Sequence, residues 1–134
     1  MRIAFDAKRA FTNSSGLGNY SSALIKSIVE LYPNNQYSLY TPTDSNSEFA
    51  EFMRSKQNVE ICTPRSLSSK SLPFLWRSFS ITKHLQQNNT SIYHGLSNEL
   101  PFNIAQFRNF KVVSIHDLIF LRYPELYPFF DRKM

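Results

Sequence analysis

The sequence predicts an α/β fold of the Rossmann-like kind, a mainly parallel sheet with helices on both faces. Two observations carry this expectation. A short apolar run at residues 2–7 opens the chain as a buried-strand candidate. Strand-like segments then alternate with segments of helical spacing, the pattern of strands joined by crossover helices.

The elements follow in order. After residues 2–7 comes a polar stretch, 8–15, and then Gly16-Leu17-Gly18. From Leu17 the apolar residues Leu17, Tyr20, Leu24, Ile28 and Leu31 recur three or four apart, which predicts a helix with those residues on its inner face. Pro33 stops it, because proline cannot continue the hydrogen-bond ladder. Residues 36–41 alternate as a second strand, and residues 43–45 supply caps for a helix carrying Phe49, Phe52 and Met53. Residues 58–63 form a third strand. A Ser- and Lys-rich loop leads to a helix over 72–87, with Pro73 in its first turn. Residues 91–94 are a short strand, 95–103 a loop, and 111–116 the best-marked strand, rich in β-branched residues. Residues 129–134 read as the start of a helix with no stop signal, so the 134 residues are expected to be one domain, cut short, that lacks a following half.

Composition narrows the function. With one cysteine, Cys62, an internal disulfide and a multi-cysteine metal centre are excluded, and its apolar surroundings predict a buried thiol. No spacing of His or Cys suggests a metal site. No secretory leader or membrane-length apolar run is visible, which gives a cytoplasmic expectation. The net charge of +5 suits an acidic or phosphorylated partner, but the basic residues are scattered and not interleaved with aromatics, which speaks against nucleic acid. The segment 72–87 combines Phe74, Leu75, Trp76, Phe79, Ile81 and Leu85 with Arg77, Lys83 and His84, so a peripheral contact with an anionic membrane stands beside the plainer expectation of a core helix.

In an open α/β sheet, ligands bind beyond the carboxyl ends of the strands. Four segments are expected there, one of them the loop that begins at Pro64. Gly16 and Gly18 open a helix and let backbone N–H groups approach an anion, although the third glycine of a dinucleotide fingerprint and the lysine of a phosphate loop are missing. His94 precedes Gly95, Asn98 and Glu99; His116 precedes Asp117. A lone histidine is more often a hydrogen-bonded structural residue, but two at corresponding strand ends, beside Glu99 and Asp117, bring the ligand-site reading level with the structural one. The hydrolase elbow G-x-S-x-G is absent.

Taken together, residues 1–7, 15–20, 94–101 (His-Gly-Leu-Ser-Asn-Glu-Leu-Pro) and 116–125 (His-Asp-Leu-Ile-Phe-Leu-Arg-Tyr-Pro-Glu) resemble the N-terminal domain of family 4 glycosyltransferases, in particular bacterial mannosyltransferase-like members with the two-domain GT-B fold. The resemblance implies retaining transfer of a sugar from a nucleotide-sugar to an acceptor hydroxyl, saccharide or lipid-linked, in the synthesis of a cell-surface polysaccharide or glycoconjugate, with no cofactor or required metal. It implies catalytic positions at His116 and Asp117, donor-diphosphate contacts at Gly16 and Gly18, and an acceptor side at His94, Asn98 and Glu99. The family's paired glutamates belong to its other half, so residues 1–134 alone are expected to be inactive. A free-standing module that holds a phosphorylated ligand or a protein partner without chemistry is the alternative.

Overall fold

Residues 1–12, 14–64 and 73–123 are described by the structure, a computed structural model. The first apolar run forms β1 (Arg2–Asp6), and it lies at the centre of the sheet, as its composition demands: β2 (Gln36–Tyr40) pairs with one side and β4 (Ile92–Gly95) with the other. Outside these lie β3 (Val59–Cys62) and β5 (Phe110–Val113), giving a five-stranded sheet in the order β3-β2-β1-β4-β5 with every pairing parallel. The carboxyl ends of all five strands therefore share one edge.

Strand alternation divides the core in two. Phe5 is in register with Leu39 and with His94, and this face packs against α1 (Lys8–Thr12), α2 (Gly16–Leu31) and α3 (Glu48–Arg54). Its buried members include Phe5, Phe11, Ile25, Val29, Tyr37, Leu39 and Met53. Ala4, Tyr40 and Tyr93 point to the opposite face, where Trp76, Ile81 and Leu85 cover them. That second cover is one run of helix: α4 (Pro73–Leu75), a π-helical turn (Trp76–Ser80) and α5 (Ile81–Gln87). Each large side chain so buried contributes on the order of 1.5–3 kcal/mol. A 3-10 turn (Ile104–Gln106) precedes β5, and α6 (Ile119–Arg122) follows it.

Several expectations need correction. The inner face of α2 is Gly18, Ser21, Ile25 and Val29, with Leu24 and Ile28 at its flanks, whereas Tyr20 and Leu31 are exposed. Small residues win because α1 packs closely on α2, and the Ser21 hydroxyl is satisfied locally by donating to the Leu17 carbonyl at 2.8 Å. The polar stretch after β1 contains helix α1. Ser47, not residues 43–45, caps α3 by accepting from the Ala50 N–H. Cys62 is half-buried, since β3 is an edge strand. The best-marked strand of the sequence, β5, is shorter than expected and all four of its residues are exposed, because it too is an edge and no described helix covers it. The expected helix at residues 129–134 lies outside the described residues.

Candidate functional site at the carboxyl edge of the sheet

Gly95 ends β4 under a steric constraint: a Cβ built there would lie 2.2 Å from the Glu99 carbonyl oxygen. Only glycine lets residues 96–99 fold back over the strand end. The turn is completed by Asn98 in the left-handed region, φ 61°, which asparagine tolerates better than most residues. Its N–H donates to the Ser114 carbonyl at 3.0 Å, and the Ser114 N–H donates to the Gly95 carbonyl at 2.8 Å, so the segments after β4 and β5 are laced together.

This lacing brings the two histidines to one place. His116 sits three residues beyond β5 instead of inside it. Its N–H donates to Asn98 Oδ1 at 2.9 Å and its Nε2 lies 2.8 Å from the Leu96 carbonyl oxygen. A carbonyl only accepts, so Nε2 carries the proton and Nδ1 of the neutral ring keeps its lone pair. The Tyr20 ring meets the His116 ring edge-on at 4.7 Å. Tyr20 belongs to the first turns of α2, two residues past Gly18, and its hydroxyl lies 3.2 Å from Ser114 Oγ. The same Ser114 Oγ lies 2.9 Å from His94 Nε2. Burial holds the His94 pKa below the ordinary imidazole value. Ser114 thus joins α2, β4 and β5, and sequence reasoning passed over it because a lone serine carries no spacing signal.

The remaining expected positions behave differently. Gly16 is the first residue of α2, exposed, with nothing within 4 Å of where a Cβ would stand. Neither Gly16 nor Gly18 has a positive φ, so neither is required by backbone conformation. Ser15 makes no side-chain capping bond, which leaves the first N–H groups of α2 uncapped by it. Asp117 is exposed and accepts from the Ile119 N–H at 3.2 Å, a local turn bond leading into α6.

Glu99 belongs to a second constellation. Arg77, nine-tenths buried on the π-helical turn, uses Nη2 for two carboxylates: Asp6 Oδ2 at 2.6 Å and Glu99 Oε2 at 2.7 Å. Burial opposes the guanidinium charge, but the two carboxylates outweigh it and hold its pKa above the usual value. The π-turn is fixed by the same loop. Ile81 N–H reaches back five residues to the Trp76 carbonyl, while the Ser78 and Phe79 carbonyls accept from the Phe102 N–H at 3.0 Å and from Asn103 Nδ2 at 2.8 Å. Arg77 was expected to be a surface cation of a basic helix; it is a buried bridge between the central strand and the loop after β4. Its Nε, with Ser38 Oγ, Thr90 Oγ1 and the Tyr93 hydroxyl, is buried without a hydrogen-bond partner among the described residues.

Among the described residues no group of His, Cys, Asp and Glu is arranged to hold a metal ion, and no helix is long and apolar enough to cross a membrane. Comparison with protein-family profiles, curated proteins and solved structures gave no match to this chain.

Proposed function

We propose that this chain is the acceptor-side domain of a retaining glycosyltransferase of the GT-B type. The observation that carries the reading is the meeting of the α2 amino end, the loop after His94 and His116 at one edge of a parallel sheet, tied by Tyr20 and Ser114. In this reading the N–H groups of the first turn of α2, at Gly16 and Gly18, face the donor diphosphate, where the helix dipole favours negative charge. His116, its Nε2 proton committed to Leu96, presents Nδ1 to a hydroxyl of the transferred sugar. Asp117, spent on a turn, serves to shape the segment after His116. Asn98 and Glu99 line the acceptor side.

The first test is binding. UDP-, GDP- and ADP-sugars at millimolar concentration should shift the amide resonances of residues 16–20 and 114–117, with weak affinity, because one helix terminus supplies only part of the electrostatics a diphosphate needs. Absence of any shift there would reject the reading. The second test is transfer. In a polypeptide that joins this domain to a donor-binding domain, His116→Ala should lower turnover by two orders of magnitude or more at unchanged melting temperature. Binding without transfer in that joined form selects the non-catalytic module instead.

A peripheral membrane contact fits a lipid-linked acceptor. Trp76, Ile81 and Leu85 are core residues and Arg77 is buried, so the contact cannot be the helix face read from the sequence. The exposed groups are Phe74, Leu75, Phe79 and Phe102, and the three phenyl rings cluster, with Phe74–Phe102 at 6.2 Å and Phe79–Phe102 at 5.9 Å. Contiguous exposed aromatics are uncommon on a solvated surface. Co-sedimentation with anionic vesicles that weakens in Phe79→Ser and Phe102→Ser variants is expected; equal sedimentation of parent and variants disposes of the contact.

A further inference from the structure

His116 and Arg77 stand in different layers of the molecule. The His116 ring meets Tyr20 of α2, a helix of the layer that covers Phe5 and Leu39. Arg77 sits on the π-helical turn, beside Trp76, in the layer that covers Ala4 and Tyr93. The turn 96–99 joins the two. Leu96 is buried in the first core and Leu100 packs on the second, so the segment straddles the end of β4. On the His116 side, the Leu96 carbonyl accepts the Nε2 proton at 2.8 Å and Asn98 Oδ1 accepts the His116 N–H at 2.9 Å. On the other side, Glu99 Oε2 accepts from Arg77 Nη2 at 2.7 Å, and the same Nη2 is moored to β1 by Asp6 Oδ2 at 2.6 Å. The turn needs such a mooring. Asn98 stands at φ 61°, a conformation that even asparagine keeps only where its surroundings fix it. Its own N–H is fixed by the Ser114 carbonyl. The next residue, Glu99, is fixed by a charge-assisted bond to a guanidinium only 10% exposed, and a bond so shielded from water is stronger than a surface pair. Arg77 is steady in turn, because the Phe102 N–H and Asn103 Nδ2 hold the two carbonyls that follow it, those of Ser78 and Phe79.

We infer that Arg77 is a positioning residue for His116, acting across the end of the sheet through Glu99 and the 96–99 turn. It keeps the Leu96 carbonyl where it captures the Nε2 proton, and so keeps the Nδ1 lone pair for a substrate hydroxyl. This rests on reading His116 as the group that meets the transferred sugar. The ion pair contributes direction to a distant ring, in addition to holding the π-turn to the central strand.

Imidazole nitrogen chemical shifts distinguish the two neutral tautomers, so spectra of nitrogen-labelled histidine at alkaline pH test the inference without any ligand. The parent chain should show His116 in the Nε2–H form alone. Glu99→Ala should give a mixture of both tautomers, with displaced Asn98 and His116 amides. Glu99→Gln should restore the parent spectrum, because its amide oxygen still accepts from Arg77. Arg77→Lys keeps a cation beside the buried Asp6 but is too short to reach both carboxylates. It should match Glu99→Ala, and the double variant should add nothing further. A pure Nε2–H tautomer in both Glu99→Ala and Arg77→Lys overturns the inference, and so does equal disruption by Glu99→Ala and Glu99→Gln. In the polypeptide joined to a donor-binding domain, Arg77→Lys should lower kcat about tenfold or more with little change in donor KM, since a misplaced group costs turnover more than binding. A raised donor KM at unchanged kcat overturns the role. Nucleotide-sugar shifts recorded on the same samples keep the two readings apart. If residues 16–20 and 114–117 respond while the His116 tautomer ignores Arg77, the positioning role falls and the transferase reading stands. If the tautomer follows Arg77 and no nucleotide-sugar shifts those residues, the transferase reading falls while Arg77 still orients the ring.

Discussion

Single residues at the carboxyl edge carry opposite kinds of constraint, steric at Gly95 and electrostatic at Arg77. Gly95→Ala puts a methyl group 2.2 Å from a backbone oxygen, which only movement of the 96–99 turn can relieve. A loss of about 1–3 kcal/mol is expected in urea unfolding, with displaced amide resonances at Asn98 and His116; wild-type stability would show that the turn is soft. Arg77→Met leaves the Asp6 carboxylate buried and unpaired, at a cost of about 3–5 kcal/mol. Asp6→Asn placed on top of it should recover part of that loss, and additive losses in the double-mutant cycle would mean that the two groups are not coupled. His94 gives a pH signature. Its folded pKa is depressed by burial, so the unfolded chain binds the proton first. Stability should be level above the unperturbed imidazole value, about 6.5, and should fall as pH drops below it. In His94→Gln that component of the slope should vanish; an unchanged slope assigns the titration elsewhere.

Elements were legible in the sequence where a single rule governed them. β1 was readable because an unbroken apolar run suits a strand covered on both faces. The face of α2 was misjudged since large apolar residues were taken to point inward, when close packing against α1 instead selected Gly18 and Ser21. β5 was misjudged for a related reason: β-branched residues mark a strand, not its cover. The π-turn was invisible. Its cause lies in the Phe102 N–H and Asn103 Nδ2, which donate to the Ser78 and Phe79 carbonyls from more than twenty residues downstream in sequence. The two histidines were singled out because the sequence put both at strand ends; His94 does lie near the end of β4, whereas His116 lies three residues past β5 and is brought back by its bond to Asn98. Arg77 was missed because its partners are 71 and 22 residues away, and sequence spacing says nothing about pairing at such range.

At the scale of the whole molecule, charge and apolar surface act against each other. Phe110, Val112, Val113, Ile115, Leu118 and Ile119 are exposed on and beside the edge strand β5, while the chain carries a net charge of +5 that keeps copies apart. Self-association should therefore rise with ionic strength in sedimentation velocity, and Val112→Lys should suppress it; association that weakens with salt would point to charge pairing instead. The order of strands has a further consequence for how the molecule assembles. β1 meets β2 after a crossover of some thirty residues but must wait for a segment near residue 92 to close its other side. The closure entropy of that longer loop favours late completion. Asp6, Arg77 and Glu99 come from both sides of this seam, so their ion-pair bridge is complete only once β4 has closed on β1. Trp76, the sole tryptophan and the neighbour of Arg77, is buried in the layer that covers Ala4, Tyr40 and Tyr93. Its fluorescence should therefore report when that layer packs on the sheet, and refolding followed at Trp76 and by amide protection of β4 should show the two events together; tryptophan burial well ahead of β4 protection would separate them.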